Sequence, residues 1–414
     1  MTQLARRLTL FDATVIGLGS MVGAGVFAVW APAAASAGGG LFVGLALAAL
    51  VAYCNATSSA QLAASYPTSG GTYVYGREVL GDWWGFLAGW GFVIGKTASA
   101  AAMALTFAAY LLPAGWWQRP LAALAVIALV AVNYHGVTRT AFLTRVIVAA
   151  VLAVLAFVVV TLWLGWSPGA WPGLDVAAAG PYGVLQSAGL LFFAFAGYAR
   201  IATMGEEVVE PRRTIPRAIL LALGLAVVVY GLVGAGVVGV LGTDALASSA
   251  APLADAVAAT GASGTVWLVR IGGALAALGA LLALVAGIGR TSLAMARNGD
   301  LPRLLASVHP RHQVPHVAEI TLGVVVSALV LVTDLRGVIG FSSFGVLLYY
   351  FVANLAALRQ VEGRLYPKPL QVLGLVLCAL LVVTLPWQSV AVGVGVYVVG
   401  VVGRLVVLRR RART

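Results

Sequence analysis

The chain has 414 residues, of which 61% are hydrophobic and only 9% charged, and its formal net charge is +12. A soluble domain carries about 25% charged residues, so this composition excludes a soluble globular protein and points to a polytopic membrane protein. The positive excess does not mark a nucleic-acid binder, because no stretch has room for a basic soluble domain.

Apolar segments recur along the chain at about 11–37, 40–64, 83–112, 120–137, 142–165, 182–207, 217–241, 265–294, 317–333, 338–358, 370–385 and 388–408, which predicts about twelve transmembrane helices. The breaks fall at turn formers such as Pro67-Thr68-Ser69-Gly70-Gly71, Pro113, Ser167-Pro168-Gly169, Pro302 and Pro315. The first segment is full length and has no small-residue cleavage signal, so it reads as a retained span and not as a signal peptide. With the N-terminus in the cytoplasm, Arg119 and Arg336 fall outside, and Lys96, Arg200 and Arg270 fall within spans. The other twenty of the twenty-five Lys and Arg lie inside. That alternation follows the positive-inside rule for an even number of spans with both termini cytoplasmic. The net charge is therefore topological, and the basic tail Arg409-Arg410-Arg411-Ala412-Arg413 is expected to touch anionic lipid headgroups. Cys54 and Cys378 both sit in apolar segments and read as small core residues, not as a disulfide.

Two spans are interrupted. Ile16 to Phe27 contains Gly17, Gly19, Gly23 and Gly25, too many glycines for a good helix. Two readings are open. Gly19-x-x-x-Gly23 fits tight helix–helix packing, and it fits equally a discontinuous helix lining a site. Five spans later, Phe192-Phe193-Ala194-Phe195-Ala196-Gly197-Tyr198-Ala199-Arg200 combines a glycine with an ionisable neighbour at membrane depth. Interruptions at corresponding places of two halves point to inverted repeats. The expected fold is one all-α polytopic transmembrane domain over residues 1–414. It comprises a 5+5 inverted repeat (about 11–165 and 182–358) with broken helices 1 and 6, and two accessory helices (about 370–408).

Gly17-Leu18-Gly19-Ser20-Met21-Val22-Gly23-Ala24-Gly25-Val26-Phe27 resembles the first-span signature of the amino acid–polyamine–organocation superfamily of permeases. Three further stretches resemble its other motifs in order. They are Tyr66 to Tyr73 after span 2, Phe193 to Tyr198 with Glu206 to Ile219, and Ala294 to Pro302 after span 8. The resemblance implies a secondary transporter of an amino acid or related small amine, with the substrate between broken spans 1 and 6. By the same resemblance, Met21, Gly23, Ala24 and Gly25 border the carboxylate, which also suits the positive dipole end of a half-helix beginning near Gly25. Carbonyls freed at Phe193, Ala194, Phe195 and Ala196, ahead of the break at Gly197, are expected to receive the ammonium. Phe193 or Phe195 is the candidate aromatic gate, ordinary packing being the alternative.

Lys96 lies near the middle of span 3, about 20 Å along the helix, too deep for easy snorkelling. In some family members a lysine in span 5 serves the core, and Val146 to Leu155 has none. Lys96 is therefore a candidate charge in place of a coupling cation, or a proton carrier; a purely structural role is the alternative. Ala280 to Gly289 offers no hydroxyl or carboxylate for sodium, so protons or exchange are the expected coupling. Many relatives have a glutamate near Arg200. A second cation here disfavours dicationic substrates, unless Arg200 only pairs with Glu206 or Glu207. Glu206, Glu207, Glu210, Arg212, Arg213 and Arg217 read as an inside ion-pair gate or as a solvated loop. No cofactor and no metal is expected, since His309, His312 and His316 lack a convincing fourth ligand. No nucleophile–base pair argues for an enzyme. A channel and a non-transporting sensor or partner subunit are the remaining alternatives.

Overall fold

The computed structural model describes residues 8–67, 70–135, 140–166, 179–204 and 207–411, with backbone only for 24, 140–145 and 410–411. Arg6, Arg7, Arg139, Glu206 and Arg413 lie outside the described residues. The first predicted span folds as α1 (Leu10–Val22), α2 (Ala24–Ala28) and α3 (Trp30–Ala37), and α4 (Leu41–Ser65) follows. A short α5 (Gly71–Leu80) precedes α6 (Asp82–Leu111), α7 (Gln118–Tyr134) and α8 (Thr140–Leu164). The sixth predicted span folds as α9 (Gly180–Phe195) and α10 (Ala199–Ala202). After it come α11 (Pro211–Ser248), a short α12 (Pro252–Ala259), α13 (Val266–Arg297), α14 (His316–Val332), α15 (Leu335–Arg359), α16 (Lys368–Thr384) and α17 (Trp387–Arg411).

Every predicted apolar segment is helical. Among the described residues, nine helical stretches are long and apolar enough to cross a membrane, and α7, α14 and α16 are shorter apolar helices. The protein is an all-α multi-pass membrane protein. Two features differ from the sequence expectation. The seventh segment starts at Pro211, not 217, because proline at the first helical position costs no hydrogen bond and the arginines that looked like loop sit on its first turns. It also runs past 241, turning at Gly242, whose φ of 73° suits glycine. The short helices α5 and α12 were not expected; eight to ten residues of mixed polarity give no membrane signal.

Packing sets the depth of the site. Helix α6 lies close against α15 through small residues: a Cβ added at Gly345 would sit 2.7 Å from the Gly91 carbonyl, and one at Gly95 3.0 Å from the Ser342 carbonyl. The hydroxyls of Ser99 and Ser342 meet at 2.7 Å. Such backbone proximity leaves α6 little room to slide and fixes where Lys96 emerges. On the face that carries the N-terminus, two motif-bearing loops come together. Asp300 accepts from Tyr73 (2.8 Å) and Arg77 (2.9 Å) and pairs with Arg404 of α17 (3.1 Å). Burial first, then the bond to Asp300, push the Tyr73 phenol up to about 12, so it remains a donor across ordinary pH. Leu8 is laced to the segment after α10, with its N–H on Glu207 O (3.0 Å) and its carbonyl accepting from Val209 (2.9 Å). That couples the start of α1 to the end of the sixth span.

Candidate functional site

The first break is a single residue. Gly23 adopts φ −53° and ψ −137° between α1 and α2, and no side chain caps the start of α2. Val29 keeps helical angles and donates to Gly25 O at 3.1 Å, so Ala24 to Ala37 runs on as one half-helix. This places the half-helix start at Ala24, one residue ahead of the expected Gly25, with amide groups of a helix N-terminus facing the gap. The two glycines of Gly19-x-x-x-Gly23 differ, one packing against a neighbour and the other interrupting the helix. A Cβ at Gly19 would press on Val148 of α8, which is packing, and Gly23 is the break.

The second break is a short 3-10 turn, Ala196–Tyr198, between α9 and α10. It abuts the first break backbone to backbone. A Cβ at Gly197 would collide with the Ser20 carbonyl and the Met21 nitrogen, and one at Gly25 would lie 2.9 Å from Ala194 Cα. Met21, Gly23, Gly25, Ala194, Ala196 and Gly197 are thereby gathered at one junction, with the backbone of Ala24 beside them. Phe195 is fully buried, its ring 4.9 Å from that of Tyr230, whereas Phe193 keeps 8% of its surface accessible.

The carbonyls at this break are already engaged by protein donors. Lys96 Nζ donates to Ala196 O at 3.3 Å, so the intramembrane lysine reaches the turn of the sixth span. The Tyr230 hydroxyl lies 2.7 Å from Met21 O and 2.9 Å from Ala194 O, and its one hydrogen serves either carbonyl. Tyr230 therefore bridges the two broken spans from α11. The sequence reading missed it; the available signal was a phenol inside a long apolar run, where its hydroxyl needs a partner.

The two ends of the junction differ in access. At the end away from the N-terminus, Arg336 donates to Gln186 (2.9 Å) and Ser36 (3.1 Å), and Gln186 donates to Thr384 O (3.3 Å). This closes α3, α9, α15 and α16 over the site. At the N-terminal face, Ser20, Arg200 and Arg290 are exposed. Arg200 is electrostatically coupled to Arg290 and to Glu207 and forms no ion pair among the described residues. Arg270 is held at the opposite end by Asp255 (3.9 Å) and the Tyr110 carbonyl (3.4 Å). Cys54 and Cys378 are free and buried.

The sequence model of a family described as amino acid permease matches residues 8–404. An uncharacterized transporter of Mycobacterium tuberculosis is 58% identical over 99% of this chain and 94% of its own length. A branched-chain amino acid permease of Bacillus subtilis is 25% identical over 94% of this chain and 90% of its own length. Cationic amino acid transporter 4 of Homo sapiens is 30% identical over 85% of this chain and 59% of its own length.

Proposed function

The chain belongs to the amino acid permease family, and on that premise we propose that it is a secondary carrier that moves an amino acid or related small amine across the cytoplasmic membrane by alternating access. The observation that carries this reading is the junction itself, where Gly25 lies against Ala194 and Gly197 against Ser20 and Met21. A break at membrane depth persists only where it faces protein, water or ligand, and here it joins two discontinuous helices. The uncapped start at Ala24 suits the substrate carboxylate, and the carbonyls around Ala194 and Ala196 suit its ammonium. With Phe195 closed in against Tyr230, Phe193 is the aromatic gate.

Charge supports a neutral substrate. Lys96 in the site and Arg200 on the exposed side disfavour a side chain with a further positive charge. Of the substrates in the relatives' names, the branched-chain class fits this better than the cationic class. Sodium coupling fits poorly. Within 4 Å of a Cβ built at Gly23, α13 offers only the Ala280 Cβ (3.6 Å), while the Ala196 carbonyl accepts from Lys96 and those of Met21 and Ala194 share the single Tyr230 hydrogen. Protons or exchange remain, with Lys96 as the movable charge. The positive-inside pattern supports cytoplasmic termini, and on that reading the exposed side of the junction, at Ser20 and Arg200, faces the cytoplasm while Arg336 lies on the outer side. Substrate-dependent counterflow in proteoliposomes tests the carrier reading. Trans-stimulated uptake of a neutral amino acid is expected, and tracer flux indifferent to trans substrate would reject it.

A further inference from the structure

All four histidines of the chain meet at one place outside the substrate site. The Tyr134 ring centre lies 5.7 Å from that of His135, 5.2 Å from His309, 5.8 Å from His312 and 6.2 Å from His316. His309 is 4.7 Å from His312 and 5.3 Å from His316, and His135 is 5.4 Å from His312. The cluster joins the end of α7 to the segment that enters α14.

The hydrogen bonds favour protons over a metal as the ligand. His309 Nδ1 accepts the backbone N–H groups of Arg311 (3.3 Å) and His312 (3.2 Å). A neutral imidazole with Nδ1 accepting carries its hydrogen on Nε2, so neither nitrogen of His309 is free to ligate. Among the described residues no three metal donors converge. Protonation at His309 Nδ1 turns an acceptor into a donor, and two amides lose their partner at once. The neighbouring groups act in both directions, Arg311 against a positive imidazole and the Glu319 carboxylate in its favour. Arg311 projects from the same turn, and His316 Nδ1 is buried without a partner. Glu319, one turn further along α14, is buried with an unpartnered Oε2 and is coupled to Arg290 of α13.

We propose that His135, His309, His312 and His316 form a proton-binding site that fastens the 309–316 segment to the end of α7 at neutral pH and releases it in acid. The direction follows from linkage. Burial first, then His309, His135 and Arg311, hold His312 below the ordinary imidazole range. His309 Nδ1 likewise can take a proton only by giving up both amide N–H groups, so acid favours the open cluster. The same connection between α13 and α14 carries Asp300, which anchors α5 and α17, so release loosens one face of the scaffold around the site.

Hydrogen exchange of the Arg311 and His312 amides in the full-length protein tests this at about pH 7.5 and about pH 5.5, either side of the imidazole range, after correction for intrinsic rates. The wild type is expected to lose protection severalfold at the acid point. His309→Asn, whose side-chain oxygen accepts without titrating, is expected to stay protected at both points. His309→Ala is expected to be unprotected at both. An acid-induced loss in His309→Asn equal to wild type would overturn the proposal, as would equal wild-type protection at the two points. Only a second arm rests on the carrier reading: uptake into proteoliposomes is expected to fall severalfold on internal acidification in wild type and not in His309→Asn. Failure of that arm with the exchange result intact would count against the carrier reading or its link to the loop, not against the proton site.

Discussion

The two broken spans solve the same problem in opposite ways. In the first, one glycine turns the chain and leaves the start of the following half-helix without a side-chain cap. In the second, a three-residue turn intervenes, and protein donors already engage the carbonyls on both sides of Phe195. The donor side of the junction has no side-chain cap, and the acceptor side meets Lys96 and the Tyr230 hydroxyl. A zwitterion needs both, since its carboxylate seeks N–H groups and its ammonium seeks carbonyls. On the proposed reading, the carboxylate docks at Ala24 to Val26 directly, and the ammonium exchanges places with Lys96 or Tyr230. The asymmetry thus links binding to movement of a charged side chain, which is what a coupled carrier requires.

Removing the contact between the breaks has the largest expected effect. Gly197→Ala places a methyl group against the Ser20 and Met21 backbone, which cannot rotate aside. Uptake is expected to fall to background and stability by about 1–3 kcal/mol, read by thermal unfolding in detergent. Gly25→Ala meets Ala194 at 2.9 Å, less severely, and is expected to retain reduced uptake. Equal effects of the two substitutions would erase the distinction drawn between the breaks. Tyr230→Phe keeps the ring against Phe195 and removes only the bridge. A cost of about 1 kcal/mol and a severalfold slower uptake are expected, and wild-type rates would make the bridge incidental. Arg336→Gln lies outside both breaks and serves as a contrast. An exposed polar seal contributes at most about 1 kcal/mol, so outside labelling of an Ala33→Cys reporter is expected to rise no more than about fivefold. Loss of substrate binding in Arg336→Gln would contradict its role as a seal.

Hydropathy made the helical segments legible, because a helix that crosses a bilayer needs a long apolar run to satisfy its backbone internally and face lipid. Gly23, Gly197 and Lys96 were legible for the same reason: a glycine cluster or an ammonium is conspicuous inside such a run. Tyr230 was not, because its acceptors are main-chain carbonyls of residues 21 and 194, and carbonyls leave no mark in a sequence. The seal was hidden differently. Ser36, Gln186 and Arg336 are unremarkable separately, and only the tertiary fold brings them together. The dual use of glycine was half visible, since spacing alone does not tell a residue that turns the chain from one that admits a neighbouring backbone. A bulky substitution at Gly25 is for that reason a test of packing as well as of binding.

Lys96→Met removes the charge on Ala196 O while keeping an unbranched chain of similar length. Proteoliposomes containing this variant and the wild type can be compared for neutral amino acid binding and for uptake driven by a pH gradient. If Lys96 holds the ammonium's place, the variant binds substrate at least as tightly as wild type but no longer accumulates it in response to the gradient. Wild-type accumulation with unchanged pH dependence in Lys96→Met would contradict that role.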